Sequence, residues 1–154
     1  MVTMKYDKYF LSKPTAEQAE KGAGMINLNN DIIKGSFFFT WDLISPSMTF
    51  DKIHGPHAHP TSEILGFFGT DPENPYELGA EIELCMGEEL EKHTFTKSTL
   101  VYIPPEMVHS PLVYKRVSKP FMFIYSLPTP ILHEKPYKHL VPENERGNMF
   151  FLEK

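Results

Sequence analysis

Fourteen prolines are scattered along a chain of 154 residues, and the runs between them are short, apolar and aromatic. Proline removes a backbone donor and breaks a helix interior, so spacing of this kind leaves little room for long helices. It suits many short strands joined by turns. The apolar share is 41% and the aromatic share 13%, with 12 Phe and 7 Tyr, a content that excludes a disordered tail protein and requires a packed interior. The length falls within the range of one domain and suffices to bury a core without staples.

The β-prone runs can be placed individually. Ser36 to Ile44 is aromatic and is closed by Ser45-Pro46. Further strands are expected over Glu63–Phe68, Ala80–Met86, His93–Phe95, Leu100–Ile103, Pro111–Tyr114 and Pro120–Leu127, each bounded by Gly, Pro, Asp, Asn or Ser. This series is the pattern of a sandwich or barrel. Before it, residues 1–34 read as an N-terminal arm in which Pro14 to Lys21 forms one or two helical turns, stopped by Gly22 and Gly24. After it, residues 128–154 read as a tail packed on the barrel, with Met149-Phe150-Phe151-Leu152 as a possible last strand. The whole is one domain: arm 1–34, barrel 35–127, tail 128–154. A long turn-rich loop over 69–79 is a candidate lid or rim.

Charge and cysteine usage narrow the functional classes. Fifteen Lys and Arg stand against twenty Asp and Glu, a net charge of −5, and eight of the acids lie between Asp71 and His93 with only Lys92 among them. A nucleic-acid partner is not expected. The apolar runs are far shorter than the roughly 20 residues of a membrane-spanning helix, so no membrane partner is expected either. One cysteine, Cys85, and the lack of a recognisable secretion signal lead to the expectation of a cytoplasmic protein. Cys85 itself reads as a small buried hydrophobe.

The chemistry-bearing residues start at His54-Gly55-Pro56-His57-Ala58-His59-Pro60-Thr61-Ser62-Glu63. Histidines at i and i+2 diverge on a helix but share one face of an extended chain, close enough to share an ion. Glu63 keeps the same strand parity as His57 and His59. A fourth candidate, His109, follows the Leu100–Ile103 run and the turn Pro104-Pro105-Glu106-Met107-Val108. His54 is set apart by Gly55-Pro56, which breaks the parity, and His93, His133 and His139 are read as structural or solvent-facing.

Over roughly residues 50–127 the sequence resembles the cupin superfamily. His57, His59 and Glu63 match its first motif, and Pro104 and His109 match its second. The resemblance implies an all-β fold, a small jelly-roll barrel, whose three histidines and one glutamate bind a metal inside it. Asp51, Ser98 and Glu106 stand at glycine positions of the family pattern, and Val113 where Asn often follows.

A site of three imidazoles and one carboxylate suits one divalent ion of Zn, Fe, Mn, Ni or Co. Two positions of a six-coordinate ion would stay open for water or a small-molecule ligand. The expected function is that of a metal-dependent enzyme, an oxygenase, isomerase or lyase, acting on a small polar organic molecule such as an oxo or hydroxy acid. The alternative is a non-catalytic metal-dependent binding or sensing module. Proton-transfer candidates are Glu106, Tyr102, Glu81 and Glu83, and Arg116 is a candidate partner for a substrate carboxylate. A homodimer is expected because open barrel edges need cover.

Overall fold

The computed structural model describes residues 2–12 and 26–153, so the helical turns expected over 14–21 lie outside the described residues. Twelve strands are formed there: β1 (Ile26–Leu28), β2 (Phe38–Ile44), β3 (Ile53–His54), β4 (His57–Ala58), β5 (Glu63–Gly69), β6 (Glu77–Met86), β7 (Glu91–Lys97), β8 (Thr99–Ile103), β9 (His109–Val117), β10 (Phe121–Leu127), β11 (Lys135–Pro136) and β12 (Met149–Phe150). Short 3-10 turns cover Asp7–Tyr9, Lys138–Leu140 and Glu143–Asn148.

The strands form two five-stranded antiparallel sheets, in the orders β1-β2-β10-β5-β8 and β11-β4-β9-β6-β7. A small parallel pair, β12-β3, joins the C-terminal tail to the segment before the first histidines. All seven runs read as strands from the sequence are strands here. β1 is an addition: residues 26–28, placed in the arm by the sequence, pair with Phe39, Thr40 and Trp41 of β2.

The alternation of the sequence decides which residues enter the barrel. On β6, Leu78, Ala80, Ile82 and Leu84 are buried, while the intervening Glu77, Gly79, Glu81 and Glu83 are only partly so. β10 sends Phe121 and Phe123 to the same interior. Phe67 of β5 is fully buried, 5.0 Å from the Phe123 ring and edge-on to Phe95 at 5.1 Å. Aromatic pairs at such separations add to the burial energy. Near the end of β6 the register with β9 shifts between Leu84 and Met86, and Cys85 is buried beside the shift. Its thiol is pushed up, chiefly by burial and then by the Glu83 carboxylate, which leaves it an inert apolar side chain as expected.

Candidate metal centre

Two neighbouring strands bring the motifs together. His57 on β4 pairs directly with His109, the first residue of β9. His59 follows β4, and the chain then bends through Pro60-Thr61-Ser62 into the other sheet, where Glu63 opens β5 opposite Ile103. Glu63 reaches the cavity because the chain crosses between sheets, not because it continues one strand with the histidines. The turn before His109 is fastened to the first motif by a hydrogen bond from the Glu106 N–H to the His59 carbonyl, 2.8 Å long. Glu106 adopts φ 64°, the left-handed region that a glycine would enter without strain.

All three imidazoles are oriented by backbone. Nδ1 of His57 donates to the Gly55 carbonyl at 2.8 Å, Nδ1 of His59 to the His133 carbonyl at 2.8 Å, and Nδ1 of His109 to the Met107 carbonyl at 3.1 Å. A carbonyl only accepts, so each Nδ1 carries the proton and each Nε2 keeps a free lone pair, the tautomer a metal ligand needs. Glu63 Oε2 lies 3.0 Å from Nε2 of His109 and 3.3 Å from Nε2 of His59. One ligand atom from each of His57, His59, Glu63 and His109 falls within 4.8 Å of the others. Two ligands at right angles on an ion, each about 2.1 Å from it, are about 3.0 Å apart, so these separations suit one shared ion.

The donor set passes a second check. All four residues are buried, yet Glu63 Oε2 has no hydrogen-bond partner. A buried carboxylate oxygen in that condition is costly unless a cation meets it. Burial, helped by the neighbouring His109 and His54, holds His57 down to about 2, so it is neutral across the ordinary pH range. Burial alone would raise Glu63, but the adjacent His109 and His59 bring its carboxyl down to about 2, ionised. For His59, burial is outweighed by Glu63 and the His133 carbonyl, which leave it raised. A divalent ion would replace the proton that this arrangement invites.

The cavity around these residues measures about 340 Å³ and is walled by Leu65, Leu112, Phe123, Leu127 and, from the tail, Leu132, Phe150 and Leu152. Two functional groups there were given little weight or missed by the sequence. His54 on β3 stacks on His57 with ring centroids 3.8 Å apart and on Phe150 at 4.6 Å. Glu134, just before β11, is buried, its Oε1 standing 2.7 Å from His54 Nε2 and 3.2 Å from His57 Nε2. His54, His57 and Glu134 form a second group close enough to share a cation. Neither Glu134 oxygen has a hydrogen-bond partner.

None of the four sequence candidates for proton transfer lines this cavity among the described residues. Glu81 and Glu83 face outward on β6, where Glu83 lies 3.8 Å from both Lys92 and Lys115. Tyr102 is exposed on β8 and Glu106 is exposed in the turn. Arg116 lies elsewhere too: its Nη1 donates to Ser118 Oγ at 2.5 Å, and it borders a cleft shared with Asp71 and Lys119. That cleft also takes Thr70 and Asp71 of the segment read as a 69–79 loop, which is shorter than expected because Gly69 ends β5 and Glu77–Gly79 already belong to β6, and the loop rims the end of β5 opposite Glu63. Ser98 fastens it there, its hydroxyl donating to the Pro75 carbonyl at 2.6 Å and accepting from the Gly69 N–H at 2.9 Å. His93 sits on the surface against Glu91, in keeping with its expected role.

No family model and no curated protein sequence matches the chain. Solved structures do. A recombinant oxalate oxidase in complex with glycolate superposes with a TM-score of 0.50 at 12% identity, over 84% of this chain and 64% of that one. An oxalate decarboxylase formate complex from Lactobacillus farciminis gives 0.46 at 14% identity, over 82% of this chain and 33% of that one. A DMSP lyase from Ruegeria pomeroyi gives 0.41 at 17%, over 70% and 46%. The chain thus spans less than two thirds of the length of each of these proteins. At such identities the likeness is one of fold, and it agrees with the topology described above. With its two antiparallel sheets closed around a buried cluster of three histidines and one glutamate, the chain has the small jelly-roll barrel fold that its resemblance to cupins implies.

Proposed function

We propose that His57, His59, Glu63 and His109 hold one divalent metal ion and that the protein is a metal-dependent enzyme acting on a small organic molecule with adjacent oxygen donors, such as an oxo or hydroxy acid. One observation carries this reading. Three imidazoles whose Nδ1 protons are spent on backbone carbonyls keep their Nε2 lone pairs free, and those of His59 and His109 lie within 3.3 Å of a buried Glu63 oxygen that lacks a partner. When bound, the ion would supply Lewis acidity and, with four protein ligands, two open positions for a chelating substrate. The chain's own residues do the rest. Leu65, Phe123 and Leu127 exclude water, and Glu134 offers a carboxylate in the cavity, the position for which Glu106, Tyr102, Glu81 and Glu83 had been candidates.

The test is metal analysis of the purified protein beside its His57→Ala, His59→Ala and His109→Ala variants. One ion per chain in the parent and its loss from each variant is the expected result. Full occupancy in all three variants would sink the assignment. A screen of the loaded protein for turnover of 2-hydroxy and 2-oxo acids then separates an enzyme from a binding module.

We also propose a homodimer in the cytoplasm. The outer face of the β1-β2-β10-β5-β8 sheet presents Phe39, Ile64, Leu100 and Tyr102 to solvent, and Phe39, Ser126, Ile64 and Tyr102 form one continuous row across four strands. A two-fold pairing would bury such a patch against its own copy. Light scattering is expected to return twice the 17.7 kDa chain mass; a monomer at micromolar concentration would refute the pairing.

A further inference from the structure

The cavity contains an imbalance of charge that bears on what it binds. Among its described lining residues there is no lysine or arginine. Its charged groups are the carboxylates of Glu63 and Glu134, set among the imidazoles. A divalent ion would be formally neutralised by these two carboxylates together, in surroundings that are otherwise largely apolar. A ligand bringing two further negative charges would then meet no cation free to receive them, and charges cost most where water is excluded. Glu134 is also short of a donor. Its Oε1 has His54 Nε2 at 2.7 Å and His57 Nε2 at 3.2 Å, the latter on a ring whose Nδ1 proton is committed to Gly55, whereas Oε2 is buried without a hydrogen-bond partner.

From this we infer that Glu134 is the specificity-determining residue of the cavity, selecting ligands that present a hydroxyl beside their metal-binding oxygen and disfavouring dicarboxylates. The inference rests on the metal reading above and narrows it. A hydroxyl on the ligand donates to Glu134 Oε2, which is buried without a hydrogen-bond partner while Oε1 already lies 2.7 Å from His54 Nε2, and a hydrogen bond to a buried charged acceptor is among the stronger ones. The leucine and phenylalanine walls accept the apolar remainder of such a molecule. The favoured classes are therefore 2-hydroxy acids, hydroxyketones and catechols with an apolar substituent, ahead of oxalate-like dianions. His54, 2.7 Å from Glu134 Oε1 and stacked between His57 and Phe150, keeps the carboxylate turned inward.

The experiment uses the full chain loaded with Mn(II), with 4-nitrocatechol and oxalate as probes, the first read by its visible absorbance and the second by competition. The parent protein is expected to bind 4-nitrocatechol at least tenfold more tightly than oxalate. Glu134→Gln keeps the shape and an accepting oxygen but removes the charge. It should keep its metal and move the ratio of the two affinities at least tenfold toward oxalate. Glu134→Ala is read in the same way if the glutamine variant is poorly soluble. An unchanged ratio with the metal retained, or oxalate as the tighter ligand of the parent, overturns the inference and leaves the metal reading standing. Loss of metal from Glu134→Gln overturns it by making Glu134 a ligand. A parent protein that takes up no Mn(II) overturns the metal reading and this inference with it.

Discussion

Glu63 and Phe67 lie four residues apart on the same strand, both buried, and they stand for two ends of the barrel interior that are built on opposite terms. Around Phe67 the interior is filled, with the rings of Phe95, Phe121 and Phe123 each set against its own and Leu78, Ala80 and Ile82 completing the packing. Around Glu63 it is left hollow, lined by four histidines and by two glutamates, Glu63 and Glu134, that keep carboxylate oxygens without a hydrogen-bond partner. One end gains free energy by excluding water from hydrocarbon, and the other gives some back to keep polar groups exposed to a small cavity. Sheets anchored by the first end hold the second in place.

Four measurements would break or sharpen this contrast. The largest effect is expected from Phe67→Ala, which should cost about 3 to 5 kcal/mol by leaving an unfilled space in the aromatic cluster, read as a lower urea midpoint. The surviving folded fraction should still bind metal, because no ligand touches Phe67 through a bond. His57→Ala should do the reverse, abolishing metal binding while shifting the urea midpoint of the metal-free protein much less than Phe67→Ala does. Equal destabilisation by the two would erase the distinction between the ends.

A third measurement addresses the seam between them. Asp42 lies on β2 between the buried Thr40 and Ile44, and it acts electrostatically on both Tyr114, packed on Phe121, and Tyr125, which lines the cavity. Burial pushes its carboxyl up to about 6. The fold therefore holds the Asp42 proton more tightly than the unfolded chain, whose carboxyl titrates at about 3.9. The stability tied to that proton is complete below the unfolded value and is lost as pH rises through 6. Asp42→Asn should accordingly raise the melting temperature at pH 7.5, and the gain should shrink toward zero by pH 4. A constant difference between the two proteins at both pH values would show that Asp42 is not buried as a charge. The smallest effect belongs to Glu106→Gly, which should stabilise the turn before His109 by no more than about 1 kcal/mol by relieving a left-handed backbone. Measurable loss of stability would mean that the glutamate side chain supports the turn.

The hollow end was largely legible from sequence because its histidines and glutamate recur at the short spacings of an extended chain. His57 and His59 needed only the alternation of a strand, and His109 only the turn that precedes it. Glu63 was found by the right residue type but for a partly wrong reason, since the bend at Pro60 carries it to the other sheet. The alternation of β6 could have removed Glu81 and Glu83 from the candidates, because Ile82 and Leu84 between them claim the interior. Glu134 had no such signal. It comes from the tail, and the pairing that delivers it, Lys135 with Ala58 and Pro136 with His57, is a strand of two residues that no periodicity announces. His54 was set aside on parity, whereas ring stacking holds it in the cavity irrespective of parity.

The close fit of the tail to the barrel has a kinetic side. An ideal Cβ on Gly55 would come within 2.2 Å of the Phe151 ring, so glycine alone lets the tail lie flat there. Beyond that contact the tail is fastened by two-residue strands and by single contacts: Tyr137 N–H to the Pro56 carbonyl at 2.9 Å, Gly55 N–H to the Phe150 carbonyl at 3.0 Å, His59 Nδ1 to the His133 carbonyl at 2.8 Å and His54 Nε2 against Glu134 at 2.7 Å. A segment with so few bonds opens by itself far more often than the sheets beneath it. Yet it supplies Leu132, Glu134, Phe150 and Leu152 to the cavity wall. A molecule lodged between tail and barrel therefore acts as a staple. Its arrival should slow amide exchange and proteolytic nicking over residues 132–152 while leaving the central strands, already closed, at the rates they had before.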